Sequence, residues 1–228
     1  MKNLAAITLA VGILLSILPP VNVLADSCSC TATDGSCTAS VSCPGGCTAF
    51  CGSNGACWAS CKSSGGGPSP DEPLDYSSIT LRLSNSNSKQ LASTVAQAIG
   101  RDVVFLPTDT KATYNIEFSN AGVWDVLEAI SKNGKVRVSG NDFETLKILH
   151  KALVSGERIN VCFRKTTLKT ILDELAFLTG FAIKDYPGEA QPLLNLTLKN
   201  ATFKDIITAI STQSGVPITV EGSYITAQ

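Results

Sequence analysis

The chain has 228 residues, with 18 basic against 19 acidic, one histidine, one methionine and two tryptophans. An even charge balance without basic runs argues against nucleic acid as a partner, because that binding needs clustered Lys and Arg. A single histidine leaves little material for metal or haem chemistry, whereas nine cysteines and 18 glycines point to a stapled, loop-rich portion.

Residues 1–25 read as a cleaved export signal. Lys2 leads an apolar run from Leu4 to Leu18, then Pro19 and Pro20, closing on Val23-Leu24-Ala25 as a signal-peptidase site. Losing Lys2 leaves 17 basic against 19 acidic residues, a net of −2. The run is short of the roughly 20 residues a membrane span needs, and no later window reaches that length. The expected product is an exported protein in an oxidising compartment, with no membrane span after cleavage.

Eight cysteines crowd the next stretch: Cys28, Cys30, Cys37, Cys43, Cys47, Cys51, Cys57 and Cys61. The last six repeat, Cys37-x5-Cys43-x3-Cys47 recurring as Cys51-x5-Cys57-x3-Cys61. Between them Gly, Ser, Thr and Ala prevail, and Phe50 and Trp58 are the only large apolar residues. Such a segment cannot offset its chain entropy by burial, so covalent staples must hold it. Residues 26–62 are therefore expected to be an irregular head held by four disulfides, with a pairing that spacing cannot decide. A thiolate metal cluster is the weaker reading, because the segment has neither histidine nor a C-x2-C pair. The head suits a passive, protease-resistant cap as well as a recognition surface. Residues 63–77 read as a linker, since Gly65-Gly66-Gly67 remove stiffness while Pro68, Pro70 and Pro73 block helix and central strand.

From Ile79 the chain repeats itself 80 residues later. Residues 79–138 laid on 159–218 without a gap give 13 identities, among them Ile79/Ile159, Gly100/Gly180, Asn115/Asn195, Asn120/Asn200 and Asp125/Asp205. Two homologous units, 78–150 and 158–228, are the economical explanation. Each reads as strand, helix, strand, strand, helix, closing hairpin. Ile79, Leu81 and Leu83 alternate with polar residues, as do Ile159, Val161 and Phe163, which marks half-buried strands. Leu91, Val95 and Ala98, and in the second copy Leu168, Ile171, Leu172, Leu175 and Leu178, are spaced as one helix face. Asn87 with Gln90 makes a capping-box-like start, and Gly100 and Gly180 suit the left-handed helix end. Tyr114/Ile116/Phe118 and Leu194/Leu196/Leu198 alternate. After Asn120 or Asn200 the period lengthens to that of a helix, through Val123, Val126, Leu127 and Ile130, or Phe203, Ile206, Ile207 and Ile210. The hairpins are expected at KVRV, Ser139–Asp142, FETLKIL, and at PITV, Glu221-Gly222, SYITA.

This order of elements, with LKTILDELAFLTGFAI followed by LNLTLKNATFKDIITAI in the second copy, resembles the secretin and TonB short N-terminal (STN) domain. The resemblance implies an α+β fold of two tandem small βαββα-type domains, and a place in the bacterial periplasm, outer-membrane associated or secreted. It implies docking to an envelope protein (a secretin, an outer-membrane receptor or a signalling protein) or self-association. The cysteine-rich head lies outside that family pattern.

Single residues add no catalytic constellation. His150, the lone histidine, is placed at a strand end before the inter-unit linker, with no Ser, Cys or carboxylate motif around it. Asp125 and Asp173-Glu174 read as solvated charge on helix faces. Gly65–Gly67 lack the Lys and the flanking elements of a phosphate loop. Asn195 and Asn200 read as strand and turn residues. Cys162, the ninth cysteine, falls on the face opposite Ile159, Val161 and Phe163, as a partly buried free thiol or as a partner for the head or another chain. The expectation is a non-enzymatic docking module without cofactor, catalytic residue or metal. The alternative is a secreted adhesin or effector whose head binds a target and whose repeats form a stalk.

Overall fold

The computed structural model describes residues 26–43, 46–61, 75–99, 103–105, 113–134, 136–138, 143–186 and 192–228. The export signal 1–25, Gly65–Gly67 with most of the linker, Gly100 and the turn at Ser139–Asp142 lie outside them.

The cysteine-rich segment is not irregular. It holds four strands, β1 (Asp26–Thr31), β2 (Thr38–Cys43), β3 (Cys47–Cys51) and β4 (Cys57–Cys61). β1 pairs antiparallel with β2, and β3 with β4, placing Phe50 across from Trp58. The four bridges, Cys28–Cys47, Cys30–Cys51, Cys37–Cys57 and Cys43–Cys61, each join the first hairpin to the second. Thr, Val, Phe and Trp suit pleated strands, and cross-links between the hairpins supply the restraint that a core of Gly, Ser and Ala cannot. The hairpin turns are tied as well. Asp34 accepts the Ser36 and Asn54 N–H groups at 2.9 Å each, and the Ser36 hydroxyl accepts the Gly55 N–H at 2.7 Å.

The remaining chain continues with β5 (Ile79–Asn87), α1 (Ser88–Ile99), β6 (Val103–Phe105), β7 (Thr113–Ala121), α2 (Val123–Gly134), β8 (Val136–Val138) and α3 (Phe143–Ser155). It ends with β9 (Ile159–Thr167), α4 (Leu168–Thr179), β10 (Ala182–Asp185), β11 (Leu193–Ala201), α5 (Phe203–Ser214), β12 (Ile218–Glu221) and β13 (Tyr224–Ala227). The bounds of β5, α1, β7 and α2 recur in β9, α4, β11 and α5, each 80 positions on. Backbone irregularities recur too. Asn85 (φ 48°) matches Lys165 (43°), and Asn120 (53°) matches Asn200 (56°), all left-handed. At the first pair each strand bulges, and the stranded N–H finds a side chain: Asn85 N–H donates to Asn115 Oδ1 at 2.7 Å, Lys165 N–H to Asn195 Oδ1 at 3.0 Å. A bulge leaves one residue out of the ladder, so an asparagine carbonyl is the repair.

Helix ends follow their caps. Asn87 and Gln90 exchange reciprocal bonds at 2.9 Å, Thr202 and Asp205 form a full capping box, and Gly180 (φ 73°) ends α4 in the left-handed region. α1 buries Leu91, Val95 and Ile99, while Ala98 is exposed, contrary to expectation.

β5 pairs antiparallel with β7, and β9 with β11. The closing hairpin is present in the second half, where β12 and β13 turn at Gly222 (φ 59°) and β13 lies between β10 and β12. In the first half it does not form among the described residues. FETLKIL belongs to α3, not to a strand, and β6 pairs directly with β8. Phe143, Leu146, Leu149 and Leu153 recur at helical spacing and bury one face, which α4 covers. The expected linker also ends early. Asp75 bridges to Ala182, Tyr76 is buried with its ring edge-on to Phe177 at 5.7 Å, and its carbonyl accepts the Val123 N–H at 2.7 Å. One apolar core runs from Phe50 and Trp58 through both halves.

Candidate docking site at the edges of β9 and β5

β9 has a neighbour on each side. The sheet order is β11-β9-β3-β4, so the hairpin of the head extends the sheet of the second half. β3 runs antiparallel to β9, with Thr48 opposite Phe163, Ala49 opposite Cys162 and Phe50 opposite Val161. On the core face Phe50 meets Phe163 edge-on at 5.5 Å and stacks on Trp58 at 5.6 Å. Polar groups fasten the seam: Thr166 Oγ1 donates to the Cys47 carbonyl at 2.9 Å, and Asn160 Nδ2 to the Thr31 carbonyl at 2.6 Å. Gly46 (φ 102°) lets the chain pass the Lys165 bulge, for a Cβ there would lie 2.4 Å from the Lys165 carbonyl oxygen.

On the other face lies Cys162. Its thiol is free and buried, and it packs with Cys28, Cys30, Cys43, Cys47, Cys51 and Ala49. The Thr197 hydroxyl points to its sulfur at 3.8 Å. Strand alternation places the thiol on that face; the disulfide-bonded hairpins cover it completely.

β5, the counterpart of β9, has only β7 beside it among the described residues. The matched positions differ accordingly. Leu83 is half-buried where Phe163 has no exposure, and Arg82 is exposed where Cys162 is buried. Ser86, buried like its match Thr166, turns its hydroxyl back to the Ser84 carbonyl at 3.2 Å, as Thr166 does to the Arg164 carbonyl at 2.9 Å, but it has no second acceptor like the Cys47 carbonyl among the described residues.

The junction of the two halves is aromatic. Trp124 on α2 donates from Nε1 to the Phe177 carbonyl at 2.9 Å and stacks on His150 at 4.6 Å. His150 sits within α3 rather than at a strand end, because the segment that carries it is helical. Its Nδ1 lies 2.9 Å from the Leu178 carbonyl; a carbonyl only accepts, so Nδ1 carries the proton. Burial lowers the His150 pKa, against the Leu178 carbonyl and Asp125, which raise it. Asp125 is exposed as expected, but Asp173 is half-buried, accepting the Tyr186 hydroxyl at 2.5 Å and paired with Lys169 at 3.4 Å. Glu128 is held below its usual range by the Lys147 ammonium, bonded at 3.0 Å, and by Lys132. Asn195 and Asn200 serve the bulges.

Trp124, Tyr76, Asn160 and Thr166 carry these seams without standing out in the sequence. Trp124 left one trace: its counterpart is Lys204, and an indole in place of a solvated lysine marks a covered helix face. Among the described residues no group of His, Cys, Asp and Glu is placed to hold a metal ion, and no helix is long and apolar enough to cross a membrane. Four disulfides mark an oxidising, exported environment. Comparison of the chain with protein-family models, curated proteins and solved structures finds no match.

Proposed function

We propose that this chain is an exported, non-enzymatic protein-docking module, built from two tandem STN-like units and working in the periplasm or at the outer membrane. One observation carries the reading: the side of β9 away from β11 already holds an added strand, β3, in antiparallel register. Addition of a strand to a sheet edge is a general mode of protein recognition, with main-chain hydrogen bonds giving affinity and alternate side chains giving specificity. The recurrence of strand, helix and bulge between the halves supports two units of one kind. The chemistry of the lone histidine points the same way, since its ring is stacked on Trp124 and its Nδ1–H is committed to Leu178. A head that binds a target by itself is less favoured, because its two large apolar residues, Phe50 and Trp58, are buried in the shared core. The partner is then an envelope protein (a secretin, a receptor or a signalling protein) or a second copy. In-cell photo-crosslinking of the full exported chain, with cross-links mapped by mass spectrometry, tests the role. Cross-links from a sheet edge to one envelope protein are the expected result; none to any protein overturns it.

A further inference from the structure

β9 shows what an added strand does for this kind of edge, and three matched positions show what β5 lacks without one. Phe50, itself stacked on Trp58, meets the fully buried Phe163 edge-on, whereas Leu83 stays half-buried. Ala49 lies across from the buried Cys162, whereas Arg82 is exposed. Thr166 Oγ1 lies 2.9 Å from the Cys47 carbonyl across the seam as well as 2.9 Å from the Arg164 carbonyl of its own strand, whereas Ser86 keeps only the matching own-strand bond, to the Ser84 carbonyl at 3.2 Å. We infer that the outer edge of β5 is the receiving edge of the docking module, and that its occupant is an extended segment of a partner protein. That segment carries large apolar side chains toward Leu81 and Leu83 and an acidic residue between them, opposite Arg82. The inference rests on the docking role proposed above.

The register comes from the pair already formed. Phe50 faces Val161, so the partner residue in its place faces Leu81; the places of Ala49 and Thr48 face Arg82 and Leu83. The required chemistry is also visible on the other side of β5, where β7 sets Phe118, Glu117 and Ile116 against Leu81, Arg82 and Leu83. A second β5 is a poor occupant, for its sequence ITLRLSNSN holds neither an acidic nor an aromatic residue. A second copy presenting β7 would build an open-ended array rather than a closed pair.

The test uses the full oxidised chain and a synthetic peptide that copies residues 46–52 with Cys47→Thr, Ala49→Glu and Cys51→Thr. Saturable binding with hydrogen-exchange protection confined to residues 79–87 is expected. A peptide with lysine at the Ala49 place should bind about fivefold more weakly, as cross-strand charge pairs of this size dictate. Arg82→Ala should erase that difference. Absence of binding overturns the inference, as does protection at another edge, including exclusion of the peptide by residues 62–74 of the chain itself. Protection of 79–87 by concentration-dependent self-association, seen in sedimentation without peptide, overturns the occupant. If the peptide fails while in-cell cross-links to an envelope protein map to another strand, the docking role stands and only the β5 edge is wrong; if both fail, the role fails too.

Discussion

The indole N–H of Trp124 donates to the main-chain carbonyl of Phe177 at 2.9 Å, fastening α2 of the first repeat to α4 of the second. The same carbonyl accepts the Gly180 N–H at 3.3 Å, so the bond reinforces a helix end that is already capped. Trp124 is also ringed by Phe143, His150 and Phe177. Trp124→Phe keeps most of that packing and should cost about 1 kcal/mol for the lost hydrogen bond. Trp124→Ala opens a cavity at the junction and should cost about 3–5 kcal/mol. Urea unfolding checks both, and a single transition in the parent chain is expected because one core spans the halves.

The pH dependence has two windows with opposite titrating species. His150 has its folded pKa below the ordinary 6.5 because burial disfavours the imidazolium. Its contribution to stability is complete above about 6.5 and is lost as pH falls through the lowered folded value, because the unfolded chain takes up the proton first. Asp34, lowered to about 2 by the Ser36 hydroxyl and the Asn54 and Ser36 N–H groups, acts further down the scale. Asp205, lowered by the Thr202 cap, and Glu128, lowered by Lys147, act there with it. Their contribution is present above the ordinary carboxylate values and lost as pH falls through the folded ones. Denaturation midpoints from pH 8 down to about 2 should therefore show an upper step that His150→Phe removes and a lower step that it leaves.

The helix-and-strand skeleton of the repeats was legible because two signals agree there. In YNIEFSNAGVWDVLEAIS and its copy the period changes from strand to helix at an asparagine, and that asparagine is needed to carry a left-handed bulge. α3 is masked in the sequence although Phe143, Leu146, Leu149 and Leu153 have helical spacing, because the second copy ends in a hairpin and the repeat no longer holds over this segment. The β3–β9 seam had no local trace. Strand partners 109 to 117 residues apart are chosen by complementarity between surfaces, as with Ala49 and Cys162 or Gly46 and the Lys165 bulge, and no periodicity encodes that.

Gly46 gives the sharpest test of the seam. A Cβ there would stand 2.4 Å from the Lys165 carbonyl oxygen and 2.9 Å from that of Arg164, both backbone atoms that cannot swing aside. Gly46→Ala also places alanine at φ 102°. It should destabilise the chain by about 2 kcal/mol or more and raise hydrogen exchange along Val161–Arg164. Gly35→Ala, at φ 72° but with nothing within 4 Å, should cost only the left-handed backbone strain of about 1 kcal/mol. Equal losses at the two sites would refute close passage of the head past the bulge.

Cys162 reports on the same seam from its other face. The thiol is 3% exposed, lies opposite Ala49 and packs against cysteines of three of the four bridges, so any reagent must first lift the head. A thiol must be reached before it can react, and this buried site withholds access. Iodoacetamide should therefore leave Cys162 unmodified in the folded, oxidised chain and label it alone, among all nine cysteines, when the chain is unfolded without reductant. Mild reduction should bring Cys162 into reach together with the head cysteines, because β1 and β2 are held over this face by Cys28–Cys47, Cys30–Cys51, Cys37–Cys57 and Cys43–Cys61. Gly46→Ala, which loosens the seam without touching a bridge, should speed labelling under native oxidised conditions. Cys162→Ala removes one polarisable atom from a packed cluster and should cost about 1 kcal/mol while leaving all four bridges intact. Rapid labelling of Cys162 in the native chain, at the rate of an exposed thiol, would show that the head does not lie on β9.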